Sequence, residues 1–215
     1  MKVLIIGANG QVGRHAVRMV GLSTIHEAKA MIRDEDQRQA MEELGAEEIV
    51  IGNLEEDFSH AFENTDAVIF AAGSGPHTGK DKTVDVDKLG AIKSIEEAEK
   101  AGVQRYIMIS ALGADHPEEG PEELEHYMQA KKDADDKLRN SSLNYTILRP
   151  GKLVNEPARG KITAKTSLDN TDSDIPREDV AAVASASLTI EETNHSVIEI
   201  LSGDEAIGTA LKSFK

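Results

Sequence analysis

A tyrosine and a lysine stand four residues apart in LEHYMQAKKDADDKL, residues 124–138: Tyr127 and Lys131. On an α-helix, that spacing puts both side chains on one face, one turn apart. A free phenol is a poor base at neutral pH, and a neighbouring cation favours its ionised form. Such a phenol can protonate a carbonyl oxygen as hydride reaches the carbon, which is general acid catalysis. The pair alone could arise by chance, although the chain has only three tyrosines, Tyr106, Tyr127 and Tyr145. Its setting says more. Leu124, Tyr127, Lys131, Ala134 and Leu138 form the stripe that a helix turns toward a core. A lysine there needs an anionic or hydroxyl partner. The competing reading is a lysine that snorkels to the surface along its apolar stem.

Two further groups fit the same chemistry. Ser110 ends the apolar run QRYIMIS (104–110), and open α/β sheets bind ligands beyond the carboxyl ends of their strands. The plainer reading of Ser110 is a strand-end hydrogen bond. GANGQVG, residues 7–13, lies between VLII and a helical pattern. Gly7 permits the tight turn, Gly10 lets a phosphate approach the backbone, and Gly13 lets the helix pack closely. Asn9, Gln11 and Val12 complete the loop and the helix start, whose N–H groups favour an anion. A glycine turn without a ligand is the alternative. Arg33 ends the second predicted strand, where an arginine can hold the 2′-phosphate of NADP. Asp34 follows it, so NAD stays open as the second cofactor.

These groups need a frame. Predicted strands cover 2–6, 28–32, 47–51, 66–72, 104–110, 143–148 and 196–201, with a short one in GKITA (160–164). Helices are expected through QVGRHAVRMVG, through DEDQRQAMEELG up to Gly45, over 83–101 up to Gly102, from near Pro121 to Asn140, in PREDVAAVASASL after Pro176, and over 204–213. Repeated strand–helix alternation predicts an α/β fold: a doubly wound parallel sheet with helices on both faces. A single domain over 1–215 is expected, with 152–215 adding a small C-terminal substrate lobe. The loop DHPEEGPEE (115–123) reads as a mobile rim.

Composition excludes several functions. With 24 basic and 39 acidic residues the formal charge is −15, and aromatics make up 3%. Nucleic acid is therefore an improbable partner, lacking both a positive face and stacking platforms. No apolar run reaches the roughly 18 residues of a membrane span. The absence of cysteine removes thiolate chemistry, and the seven histidines show no metal-ligand pairing, so no metal is expected. The strand-like start at Met1, with no leader pattern, predicts a cytoplasmic protein.

Taken together, GANGQVG, AAGSG, IMISALGA, YMQAK, ILRPG and IPREDVA resemble the short-chain dehydrogenase/reductase superfamily in its atypical branch. The likeness is nearest to small bacterial NAD(P)-binding proteins often labelled NAD-dependent epimerase/dehydratases. It implies a Rossmann-type fold, with Tyr127 as general acid/base. Lys131 would bind the nicotinamide ribose, and Ser110 would bind a substrate carbonyl or hydroxyl. It also puts Asn53, Leu54, Ala71, Ala72, Gly73 and Pro150 beside the cofactor, with Asn53 where an acid often lies near the adenine. Asp87 falls where extended members carry asparagine, which brings the usual proton relay into question. Arg149 reads as a chain anchor, His126 as a surface residue, and His77 and Lys80 as residues that could line the pocket.

The preferred expectation is an NADP-dependent oxidoreductase reducing a small carbonyl or quinone-like molecule, since 64 residues after Gly151 leave little room for a nucleotide-sugar. One alternative is a non-catalytic redox sensor like the NmrA-like proteins, and another is an epimerase or dehydratase. A small-molecule substrate is the expected partner, with the chain acting as a monomer or homodimer.

Overall fold

Consecutive apolar residues in KVLII are buried on alternate sides. Val3 and Ile5 enter one core while Leu4 and Ile6 enter the other. A strand covered by helices on both faces needs this near-continuous apolar run, because its side chains alternate with period two. The computed structural model describes residues 1–73, 83–169 and 173–214.

The first half of the chain runs β1 (Lys2–Ile6), α1 (Gln11–Gly21), β2 (Glu27–Ile32), α2 (Arg38–Glu43), β3 (Glu48–Ile51), β4 (Ala67–Phe70) and α3 (Ala91–Ala101). It continues through β5 (Arg105–Ile109), α4 (Glu122–Arg139), β6 (Tyr145–Pro150), β7 (Lys152–Val154), β8 (Lys161–Lys165) and β9 (Asp174–Pro176). The last elements are α5 (Arg177–Ser187), β10 (Ser196–Ser202), β11 (Glu205–Ala206) and α6 (Ile207–Lys212). The main sheet has the order β11-β8-β10-β6-β5-β4-β1-β2-β3. From β3 to β10 every pairing is parallel, whereas β8 and β11 add antiparallel edges. Helices α1 and α5 pack together over the core containing Val17, Ile69 and Val180. Helices α3 and α4 cover the other core, around Phe70, Ile95 and Leu138. This is the doubly wound Rossmann arrangement, and its strand order reverses beside β1.

The structure differs locally from the sequence expectations. The predicted helix over 83–101 begins as a π-helical segment, Thr83–Gly90, before turning regular at Ala91. The helix expected from Asp34 starts with a 3-10 turn, Glu35–Gln37. The segment after Gly151 holds an unexpected parallel pair, β7 with β9. Strands of three residues are too short to show a period. In the acidic loop, Asp115 is held by Arg149 and Arg139, so that end of the expected rim is anchored. Buried Arg105 ties β5 to the C-terminal segment, donating to Ser187 O at 2.9 Å and Thr193 Oγ1 at 2.9 Å. Among the described residues no helix is long and apolar enough to cross a membrane.

Candidate functional site

The loop from β1 into α1 is built by two very close approaches. Gly7 has φ 81°, and a Cβ there would lie 2.6 Å from the Ala72 backbone. A Cβ on Gly13 would lie 2.1 Å from Gly7 O. Neither position tolerates a side chain, so α1 sits directly beneath the loop. The first turn of α1 contains no acid, and no side chain caps it. Its N–H groups and the positive end of the helix dipole therefore remain for an anion.

A cavity of about 390 Å³ opens above the carboxyl ends of β1, β2 and β4. Gly7, Asn9 and Gly10 form its centre, Arg33, Asn53 and Leu54 one end, and Ala71, Ala72, Gly73 and Val86 the other. The structure thus gathers nine of the sequence-predicted cofactor residues around one space. Gln11, Val12 and Gly13 begin α1 beside it, and Pro150 ends β6. His77 and Lys80 lie outside the described residues.

Side chains within the cavity are unequally engaged. Arg33 is exposed, and no hydrogen bond or ion pair holds it among the described residues. Asp34 instead accepts a hydrogen bond from Gln37 Nε2 at 2.9 Å. Asn53 shapes its own loop: its Oδ1 accepts from Glu55 N at 3.1 Å, and its Nδ2 donates to Glu56 at 3.3 Å. Asn9 Oδ1 accepts from Arg14 at 3.1 Å. The cradle is one that added Cβ atoms would fill, its helix start is uncapped, and an unpaired cation stands at one end. These features fit a dinucleotide.

At the other end, Gly73 joins the cavity to the groups of α4. A Cβ on Gly73 would stand 3.1 Å from Asp87 Oδ1 and 3.7 Å from Lys131 Nζ. Lys131 is buried and pairs with Asp87 at 3.0 Å; its Nζ lies 5.6 Å from the Tyr127 ring centroid. The surface-snorkelling alternative is therefore excluded. Burial alone would lower the Lys131 pKa, but Tyr127, Asp87 and Asp135 outweigh it and raise it, keeping the lysine cationic. Tyr127 is half-buried, while Ala134 and Leu138 are buried, so the inward stripe of α4 is real. His126 is half-buried rather than fully exposed. Ser110 is buried, with its N–H bonded to Leu148 O at 2.8 Å.

Beyond Lys131 lies a second buried ion pair. Arg149 Nε and Nη2 donate to Asp135 Oδ2 at 3.0 and 2.8 Å, and Arg149 also grips Asp115. Burial pushes the Asp135 carboxyl above the ordinary carboxylate range, against the pull of Arg149, Ser110 and Lys131. Arg149 holds the Asp115 carboxyl far below that range. Arg149 is thus an anchor, as expected, but it anchors α4 and the Asp115 loop together. Sequence reasoning missed Asp135, although it follows Lys131 by four residues on the same helical face. It also missed Gln37, which lines the cavity and engages Asp34.

The chain is similar to known proteins over its whole length. It is 45% identical to the uncharacterized sugar epimerase YhfK of Bacillus subtilis, with 99% of each chain covered. A Bacillus halodurans structure, provisionally named an NAD-dependent epimerase/dehydratase, matches at 48% identity and TM-score 0.96, again over 99% of each chain. Sanguinarine reductase of Eschscholzia californica is 26% identical, over 100% of this chain and 94% of its own. A model of the NAD(P)H-binding family matches residues 7–191. Those residues include the glycine loop, the cavity and the Tyr127–Lys131 helix, and the chain belongs to the NAD(P)H-binding family.

Proposed function

We propose that the protein is an NADP(H)-dependent oxidoreductase reducing a small carbonyl or quinone-like substrate, with Tyr127 as general acid. The observation that carries this reading is the junction at Gly73, where a dinucleotide-shaped cavity meets the Lys131–Asp87 pair on the Tyr127 face. When bound, the dinucleotide supplies the hydride. Tyr127 donates the proton to the substrate oxygen and recovers one from solvent. Lys131, kept cationic among carboxylates, favours the tyrosinate left behind and presents its ammonium to ribose hydroxyls. Ser110 orients the substrate oxygen. Residues 152–215 supply the substrate-side wall.

The choice of NADP rests on Arg33, which has no partner among the described residues, beside an Asp34 already engaged by Gln37. A bidentate guanidinium–phosphate contact is the interaction such an arginine can make. A second reading, a dinucleotide-binding redox sensor, draws on the Lys131–Asp87 pair, which gives the lysine a partner other than Tyr127. An epimerase or dehydratase reading draws on the names of the Bacillus relatives. NADPH oxidation measured against a panel of quinones and aldehydes, wild type beside Tyr127→Phe, tests the proposal. Turnover that drops in the variant supports it. Equal rates remove Tyr127 from catalysis, and tight NADPH binding with no turnover of any acceptor favours the sensor.

A further inference from the structure

Asp87 and Lys131 form an ion pair almost out of reach of water. Their charged atoms stand 3.0 Å apart, with the aspartate side chain fully buried and the lysine side chain 6% exposed. The pair joins two elements, since Asp87 comes from the π-helical segment Thr83–Gly90 and Lys131 from α4. Nearer the surface, Lys88 and Asp133 tie the same two elements again at 2.7 Å. The register that gives Lys131 its carboxylate is thus fixed at two points.

Lys131 has a second neighbour. Its Nζ stands over the Tyr127 ring, 5.6 Å from the centroid. A lone ammonium at that range acts on a phenol as a full unit charge and favours loss of its proton. An ammonium with a carboxylate 3.0 Å away acts as an ion-pair dipole, whose effect is far weaker. The difference bears on the direction of reaction. Reduction puts hydride on the carbonyl carbon and the phenol proton on its oxygen, giving an alcohol and a tyrosinate that solvent reprotonates. Alcohol oxidation runs the other way and needs the tyrosinate at the start.

We infer that Asp87 is a positioning residue that offsets the charge of Lys131 at Tyr127, keeping the phenol ready to give its proton and so setting the site for reduction rather than alcohol oxidation. The inference deepens the oxidoreductase reading and rests on it for this consequence, though not for its geometry. Among the described residues, the groups around Lys131 are Asp87 from the π-helical segment, and Tyr127 and Asp135 one turn to either side on α4. Arg149 from β6 holds Asp135 at 2.8 Å, and Asp115 in turn holds Arg149. Asp135 is therefore already matched by a cation, and Asp87 is the carboxylate paired directly with Lys131.

The test labels the intact protein with 13C at the tyrosine ζ-carbon and follows its three tyrosines by NMR as pH rises. Tyr127→Phe assigns the signal, and Tyr106, whose phenol burial pushes well above the ordinary range, is the reference that should not respond. Asp87→Asn keeps the shape and removes the charge. It should lower the Tyr127 midpoint by about one pH unit, because the lysine charge is no longer offset. Asp87→Ser, which leaves space for a water beside Lys131, serves if the asparagine variant does not fold. A merely structural role would lower the melting temperature without moving the midpoint. An unmoved or raised midpoint overturns the inference. Neither cofactor nor acceptor enters this titration, so its failure is distinct from failure of the oxidoreductase reading. With an active acceptor, the alkaline limb of kcat for reduction should move down by the same interval in Asp87→Asn, and alcohol oxidation at neutral pH should rise about tenfold. A limb that stays in place also overturns the inference.

Discussion

The two ends of the cavity are made of different materials. At the β1–α1 end the surface is backbone: Gly7 against Ala72, Gly13 against Gly7 O, and an uncapped helix start. Behind Gly73 at the α4 end lies buried charge, with Asp87, Lys131, Asp135 and Arg149 interleaved so that each cation lies between carboxylates. A backbone cradle fixes shape and accepts almost no substitution. A charge cluster fixes protonation and can be tuned one residue at a time. The first end suits holding a ligand, and the second suits moving protons beside it.

Substitutions can break this contrast at either end, and the largest effects should separate the two. Tyr127→Phe should lower turnover by about 10²–10⁴-fold while leaving NADPH affinity nearly unchanged, as steady-state kinetics and calorimetry would show. At the backbone end, Gly13→Ala should lose dinucleotide binding and lower the melting temperature together, because Gly7 O cannot retreat from the new methyl. Binding retained in Gly13→Ala would mean that the cradle is more pliable than it looks. Arg149→Met leaves buried Asp135 without its cation, and should cost about 3–5 kcal/mol in urea unfolding. Arg33→Ala should weaken NADPH by about 10–100-fold and NADH hardly at all, as expected for one charge-assisted contact.

The smallest effect is in pH dependence. The Asp115 carboxyl has a folded pKa below its unfolded one, so its stabilisation is present above the ordinary carboxylate range. It is lost as pH falls through the folded value. Asp115→Asn should therefore reduce stability at neutral pH but bring the variant and wild type together in strong acid. Parallel acid-unfolding curves would contradict this. Because Asp115 is partly exposed, screening by water should keep the difference modest.

The backbone end was the more legible in the sequence. GANGQVG after an apolar run carries its own geometry, and strands β1 to β6 follow from short apolar runs, buried for the most part except in β3. The stripe Leu124–Leu138 correctly turned Lys131 inward. The partner of Lys131 was another matter. Asp87 reaches it from a π-helical segment that looks like ordinary helix in sequence, and a one-residue change in winding redirects a side chain without altering composition. Asp135 was hidden for a different reason. In DADD it sits among acids that read as a solvated face, and only its place one turn beyond Lys131 marks it as buried. β7 and β9 gain their order from pairing with each other, which no three-residue pattern can announce.

Titration calorimetry of the purified protein with NADPH, and in parallel with NADH, bears most directly on the cavity as a dinucleotide site. One saturable site is expected, tighter for NADPH than for NADH, with that preference abolished in Arg33→Ala. Absence of saturable binding by either dinucleotide would contradict the account.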